Sequence, residues 1–215
     1  MDFNPLDLIL HLDVYLDMLV TNYGTWVYAI LFLVIFCETG LVVTPFLPGD
    51  SLLFIAGAVA AGGSMDPVLL GGLLMLAAIL GDSTNYLIGR TAGEKLFSNP
   101  NSKIFRRDYL QQTHDFYDKH GGKTVTLARF LPIIRTFAPF VAGVGKMPYA
   151  RFFGFSVLGT VLWVGGLVTL GFFFGNVPFI KQNLSLLVVG IILVSLLPMI
   201  ISLVRSKLGQ RASKA

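Results

Sequence analysis

Charged residues are scarce in this sequence. Asp, Glu, Lys and Arg make up 13% of its 215 residues, and 54% are hydrophobic. Soluble domains carry about 25% charged residues. A chain with so little charge cannot cover its surface with groups that face water, which excludes an ordinary soluble domain. The composition predicts a membrane protein that crosses the bilayer several times, with one domain.

Several residue types needed for other functions are also rare. The one cysteine, Cys37, excludes an intramolecular disulfide framework, and its apolar surroundings favour a packing role. The three histidines, His11, His114 and His120, have no ligand spacing with a carboxylate or cysteine, so we expect no metal site. There is no Gly-x-x-x-x-Gly-Lys-Ser/Thr loop, which excludes ATP as the direct energy source. The sequence therefore predicts no cofactor.

The net charge of +4 does not indicate a nucleic-acid-binding protein, because most basic residues fall in two places. These are the segment 90–123 and the tail from Arg205. Cytoplasmic loops of membrane proteins are rich in Lys and Arg, so topology alone can explain the pattern. Contact with anionic lipid headgroups is the functional alternative. The basic tail, 206–215, contains no acid, and this predicts a cytoplasmic C-terminus.

The N-terminal part of the chain predicts two features. Residues 1–22 place acidic side chains on one helical face and leucines on the other, which predicts an amphipathic helix in the membrane interface. Residues 25–62 contain two short apolar arms around a charged centre, broken by Pro45, Pro48 and Gly49. Each arm is shorter than the roughly 20 residues of a full crossing. This pattern predicts a re-entrant hairpin; one crossing followed by a shorter hairpin is the alternative.

The rest of the chain predicts spanning helices and a second hairpin. Three segments are apolar and long enough to cross a membrane: residues 67–89, 150–176 and 183–204. The segment 90–123 holds seven Lys/Arg and four Asp/Glu, and predicts an interfacial helix on the cytoplasmic side. Residues 124–145 repeat the broken apolar pattern, with Pro132 and Pro139 as breakers.

The two predicted hairpins resemble each other in sequence. Phe46-Leu-Pro48 matches Phe130-Leu-Pro132, and Phe54-Ile-Ala-Gly57 matches Phe140-Val-Ala-Gly143. One crossing separates the hairpins, so they must open to opposite sides. The predicted fold is therefore an all-α polytopic membrane protein. Two oppositely facing re-entrant hairpins form an inverted repeat, joined by about three spanning helices and by amphipathic interfacial helices. Carriers of this design bind substrate near the midplane, between broken helices.

Four charged residues lie within the hairpins: Glu38, Asp50, Arg129 and Arg135. A charge at membrane depth costs on the order of 2.5–3.5 kcal/mol by insertion scales, so these residues must face each other, water or a substrate. A guanidinium group is always charged and binds phosphate oxygens bidentately. Arg129 and Arg135 therefore predict a binding site for a lipid phosphate. Structural salt bridges to Glu38 and Asp50 are the alternative.

The acidic residues of the apolar segments are candidates for proton coupling. Glu38 and Asp50 lie at the edges of the Pro/Gly turn, and Asp82 lies midway along the span 67–89. A carboxyl group whose pKa depends on burial and on a neighbouring arginine can bind and release a proton as the site opens to each side in turn. Structural counter-ions for Glu38 and Asp50, and an interhelical hydrogen bond for Asp82, are the alternatives.

Several of these residues form motifs that resemble a known family. The motifs are Glu38-Thr39-Gly40, Phe46-Leu-Pro-Gly-Asp50, Gly81-Asp82 with Asn85-Tyr86-Leu-Ile-Gly-Arg90, and Arg129-Phe-Leu-Pro-Ile-Ile-Arg135-Thr136. Over about residues 25–205 the chain resembles the DedA family of membrane proteins, which share the VTT domain with eukaryotic lipid scramblases. The resemblance implies a bacterial inner-membrane protein with two re-entrant loops of opposite orientation. It also implies that the family's essential acids correspond to Glu38 and Asp50, and its essential arginines to Arg129 and Arg135.

The function implied by the resemblance is lipid-carrier recycling. A transporter or flippase would move undecaprenyl phosphate, or a related phospholipid, across the bilayer with a link to the proton motive force, and would support envelope homeostasis. Its partners would be anionic lipid phosphates and protons, with no nucleic acid; the oligomeric state stays open. An enzyme is not expected, because residues 124–145 contain no His, Cys, Asp or Glu to act as nucleophile or metal ligand. A non-transporting scaffold for envelope proteins and an uncoupled scramblase are the alternatives.

Overall fold

The computed structural model describes residue 18, residues 22–41, 49–96 and 121–175, and residue 177. Across these residues the regular structure is entirely helical. The helices are α1 (Trp26–Gly40), α2 (Gly49–Ala61), α3 (Pro67–Leu96), α4 (Lys123–Ala128), α5 (Pro132–Val144), α6 (Tyr149–Thr160) and α7 (Gly166–Phe174). A π-helical segment, Val161–Gly165, joins α6 to α7 without a break.

Some predicted features lie outside the described residues. They are most of the N-terminal helix 1–22, the breakers Pro45 and Pro48, residues 97–120 of the interfacial segment, the span 183–204 and the tail 206–215.

Two helices of the described chain are long and apolar enough to cross a membrane. They are Pro67–Ala92, within α3, and Tyr149–Phe174, which combines α6, the π-helical segment and α7. Both coincide with predicted spans. The apolar span extends to Ala92, three residues beyond the predicted end at residue 89, and α3 continues as helix to Leu96. Charge at Arg90 marks the end of the apolar run, but Arg, Glu and Lys are good helix formers and the backbone stays helical beyond it.

The start of α3 follows from its local sequence. Asp66 Oδ1 accepts hydrogen bonds from the backbone N–H groups of Val68 (2.9 Å) and Leu69 (2.8 Å), which caps the helix. Pro67 occupies the first position, where its missing N–H is not needed. The Tyr28 hydroxyl accepts a hydrogen bond from the Asp66 N–H at 2.7 Å, so the beginning of α1 lies beside the beginning of α3.

The predicted breakers behave differently from one another. Gly49 is the first residue of α2, and Pro132 is the first residue of α5, so each marks the beginning of a short helix. The prediction for Pro139 is wrong, because it lies inside α5 and does not end it. Proline removes one helical hydrogen bond, and helices at membrane depth tolerate this where neighbouring groups compensate. The Pro139 side chain is buried.

The short helices pack on the long ones in a repeated pattern. Helix α1 packs along α3 and α4 along α6, while α2 packs along α7 and α5 along α3. At the α2–α7 contact, Gly57 lies against the carbonyl oxygen of Val168, and Gly171 lies against that of Phe54. The same contacts recur between α5 and α3. There, Gly143 lies against the carbonyl oxygen of Tyr86, and Gly89 against that of Phe140. The matching Phe-x-Ala-Gly sequences thus make matching backbone contacts.

Polarity is distributed as expected for a protein surrounded by hydrocarbon. Large apolar side chains are exposed along the long helices, including Val68 at 81% and Phe173 at 69%. Several charged and polar side chains are buried instead, among them Glu38, Asp82 and Arg129. Water would favour the opposite arrangement, since burying charge is costly and exposing large apolar area gains nothing.

Candidate functional site

The first ionic centre of the structure is built around Arg135. Its Nη1 donates to Asp50 Oδ1 at 2.5 Å, and its Nη2 donates to Glu38 Oε1. Glu38 lies in the last turn of α1, Asp50 in the first turn of α2 and Arg135 in the first turn of α5. The Glu38 side chain is 1% exposed and that of Arg135 is 9% exposed. Three of the four predicted charges therefore meet where the two broken segments approach each other.

The second ionic centre joins Arg129 to Asp82. Arg129 Nη2 donates to Asp82 Oδ2, and the Ser156 hydroxyl donates to the same oxygen at 2.5 Å. Arg129 follows α4 directly, Asp82 lies midway along α3 and Ser156 lies on α6. The side chains of Arg129 and Asp82 are each 5% exposed.

These contacts correct one alternative drawn from the sequence. That alternative makes Glu38 and Asp50 the counter-ions of both arginines, but in the structure both acids pair with Arg135, and Asp82 pairs with Arg129. The pairing of Arg129 is set by the position of the break between α4 and α5, which places Arg129 at the level of Asp82. Asp82 also makes an interhelical hydrogen bond, with Ser156 on α6, as in its alternative; its role in proton coupling stays a prediction.

Asn85 ties the two broken segments to the middle of α3. Its side-chain N–H group donates to the carbonyl oxygen of Thr39 (3.1 Å), at the end of α1, and to that of Thr136 (2.7 Å), in α5. Asn85 is fully buried. Because both bonds start from one amide on α3, the end of α1 and the first turns of α5 are held at the same height along α3, next to the two ionic centres.

Gly49 allows the backbone of α2 to approach Glu38 closely. A Cβ atom at this position would clash with the Glu38 carboxylate. Any larger residue would therefore displace either the carboxylate or the beginning of α2. Since Asp50 is the next residue, this close approach also sets the separation of the two acids that share Arg135.

Trp163, which was not predicted from the sequence, contacts both centres. The Arg129 and Arg135 guanidinium carbons lie 5.5 Å and 4.9 Å from the centroid of its ring, within cation–π range. Its Nε1–H donates to Asp50 Oδ1 at 2.8 Å. Trp163 lies in the π-helical segment, inside a long run without charge, so hydropathy gave no reason to single it out. A tryptophan in the middle of a span, rather than near its ends, was the available signal.

The site is a network of buried ion pairs. Removing one partner of a buried ion pair without replacement costs about 3–5 kcal/mol. A ligand that takes an arginine from its carboxylate must therefore bring negative charge of its own. Among the described residues there is no group of three or more His, Cys, Asp or Glu side chains placed to hold a metal ion.

Comparison with known proteins now identifies the family. The sequence model of the VTT domain matches residues 47–173. The chain is 60% identical over 212 residues to Protein DedA of Escherichia coli strain K12, covering 97% of each chain. The chain belongs to the DedA family. It is also similar to two further proteins from that strain. Inner membrane protein YghB is 36% identical over 157 residues, covering 73% of this chain and 72% of the relative. Inner membrane protein YqjA is 35% identical over 191 residues, covering 86% and 87%. No solved structure matches the chain.

Membership of the DedA family agrees with the physical character of the fold. Relatives are named as membrane proteins, and the described chain contains two helices long and apolar enough to cross a bilayer. The VTT match includes Asp50, Asp82, both arginines and Trp163, while Glu38 precedes it. This DedA family protein is therefore a membrane protein in which most of the ionic network lies inside the shared domain.

Proposed function

We propose that this DedA family protein is a transporter, or flippase, that moves a lipid-linked phosphate across the bacterial inner membrane. Undecaprenyl phosphate or a related phospholipid is the substrate class. The observation that carries the proposal is the burial of Arg129 and Arg135, each held by carboxylates, where the two broken segments meet. Guanidinium groups match phosphate oxygens in charge and geometry.

The proposed architecture is an inverted repeat of two re-entrant hairpins. In the first half, the bond from Asp66 N–H to Tyr28 Oη brings the beginning of α1 to the beginning of α3, so both ends of that hairpin lie at one level. In the second half, the Thr126 hydroxyl donates to the Phe155 carbonyl at 2.7 Å, which brings α4 beside the first turns of α6. These two hydrogen bonds support a proposal in which the hairpins enter from opposite sides; the proposed cytoplasmic side of the C-terminus rests on the basic tail of the sequence.

Transport would proceed by exchange of partners. An entering phosphate takes the guanidinium edges that Glu38, Asp50 and Asp82 occupy in the free protein. Carboxylates left without a cation at this depth become costly to keep ionised, so they take up protons. Phosphate and protons are then bound together and released together, which couples lipid movement to the proton motive force. No enzymatic step is proposed, because the network offers binding groups and proton acceptors but neither a histidine nor a metal cluster.

The test is transbilayer movement of undecaprenyl phosphate in proteoliposomes. We expect movement with the wild-type protein, and loss of movement in an Arg129→Ala/Arg135→Ala variant. The single variant Arg135→Gln is the milder alternative if the double variant does not fold. Arg151→Ala, which removes an exposed arginine on α6, is the matched control and should transport normally.

Three outcomes would contradict parts of the proposal. Absence of movement by the wild-type protein under either sign of pH gradient would remove this lipid and favour a scaffold. Movement of the lipid that persists in the folded arginine variants would show that Arg129 and Arg135 do not form the substrate site. Movement that does not change when the pH gradient is collapsed would leave an uncoupled scramblase.

A further inference from the structure

Trp163 is the one aromatic side chain of the described structure that reaches both ionic centres. One side of its helix is exposed at this point, where the neighbouring Val161 and Leu162 are 47% and 52% exposed. Trp163 itself is 4% exposed. The π-helical segment that contains it widens the helix locally, and such segments often occur at functional sites.

The two arginines present different parts of their guanidinium groups to their two kinds of partner. Their N–H edges donate to the carboxylates of Asp82, Glu38 and Asp50. Both guanidinium carbons also lie within cation–π range of the same Trp163 ring. An edge can change from carboxylate to phosphate while the contact with the ring persists. The ring can therefore hold both cations in place during the exchange.

The indole N–H has a second use in the same exchange. It donates to Asp50 Oδ1, the atom that also accepts from Arg135 Nη1. When a phosphate takes Arg135, Asp50 still keeps this neutral donor. This retained hydrogen bond offsets part of the cost of separating Asp50 from Arg135.

We propose that Trp163 is a positioning residue of the lipid-phosphate site: its ring anchors Arg129 and Arg135, and its N–H retains Asp50, while phosphate replaces the carboxylates. This inference rests on the proposed function and deepens it. If Trp163 only filled space, another large apolar side chain could replace it without a change in substrate affinity. The fluorescence of the intact Trp163 would then also not respond to the substrate phosphate.

The test uses the two tryptophans of the chain, Trp26 and Trp163. Trp26 is 72% exposed and far from the network in sequence, so Trp26→Phe should leave transport unchanged. In this background Trp163 is the sole tryptophan, and its fluorescence reports directly on the site. We expect undecaprenyl phosphate in detergent micelles to change its emission, and undecaprenol, which lacks the phosphate, to leave it unchanged.

Transport by Trp163→Phe and Trp163→Leu provides the second measurement. Phenylalanine keeps a weaker cation–π surface but loses the N–H, while leucine loses both. We expect the lipid concentration for half-maximal transport to rise roughly threefold for Trp163→Phe and roughly tenfold or more for Trp163→Leu. The folded state of each variant is verified by size-exclusion chromatography, and Trp163→Phe keeps the test usable if the leucine variant does not fold.

The possible results separate this inference from the proposed function. A graded loss of affinity, together with a phosphate-specific change of Trp163 emission, supports the positioning role. Normal transport by Trp163→Phe and Trp163→Leu overturns it and leaves the transporter intact. An emission that does not respond to undecaprenyl phosphate in a protein that transports it also overturns it. Absence of transport by the wild-type protein overturns the proposed function, and the inference with it.

Discussion

Asp50 and Arg135 are joined by a hydrogen-bonded ion pair, with Nη1 of the arginine 2.5 Å from Oδ1 of the aspartate, although 85 residues separate them in the chain. Each lies in the first turn of the second helix of its own broken segment. They therefore occupy comparable places in the two halves. The pair connects the halves directly, at the point where we place the substrate phosphate.

Arg135→Lys should reduce transport although it preserves the charge. Lysine presents one compact ammonium group, which cannot donate to Glu38 and Asp50 through a planar fork or bind a phosphate bidentately. We expect roughly a tenfold fall in the initial rate of undecaprenyl phosphate movement in proteoliposomes. Arg151→Lys, an exposed replacement of the same kind, is the control. Equal rates for the two variants would show that charge alone suffices at position 135.

Asp82→Ala should destabilise the fold strongly. It leaves Arg129 buried without a counter-ion, which costs about 3–5 kcal/mol. The thermal unfolding temperature in detergent should fall well below that of the wild type. The double variant Asp82→Ala/Arg129→Met removes both charges and should recover much of the loss. Asp66→Asn, which keeps a side chain able to cap α3, is the control. A stable Asp82→Ala single variant would show that Asp82 is not the main partner of Arg129.

Gly57→Ala and Gly143→Ala should destabilise the fold to a similar extent as each other, because each glycine lies against a backbone carbonyl of a long helix. Overpacking of this kind costs about 1–3 kcal/mol. Gly71 has no atom within 4 Å of an added Cβ, so Gly71→Ala should be neutral or slightly stabilising. Thermal unfolding of the three variants in the same detergent measures this. If one of the Gly57 and Gly143 variants were unaffected, the two halves would not be equivalent in packing.

Accessibility labelling should show the ends of each hairpin on one side of the membrane. In a Cys37→Ser background, cysteines at Thr25 and Ser64 should react with an impermeant maleimide from the periplasmic side. Cysteines at Lys123 and Ala150 should react only from the cytoplasmic side. Thr25 and Ser64 labelled from opposite sides would mean that α1 and α2 do not form a re-entrant hairpin, and would favour a full crossing before Ser64.

Much of the fold could be predicted from sequence because the signals are local. The lack of charge identified the membrane class, and the apolar run from residue 67 predicted where the first long helix begins. The prolines were less reliable. Pro132 begins α5 as expected, whereas Pro139 lies inside the same helix, because a missing N–H can be tolerated where surrounding protein compensates.

The sequence by itself also determined which charges must be accounted for, since hydropathy isolates Glu38, Asp50, Asp82, Arg129 and Arg135 without any knowledge of contacts. Only the tertiary structure decided how they pair. The pairing of Arg129 with Asp82, and the contact of Trp163 with Asp50, join positions 47 and 113 residues apart. Such contacts depend on where separate helices end and at what level they cross. Residue type and local periodicity specify a helix and its ends, but the partner of a buried charge is fixed by the packing of the whole assembly of helices.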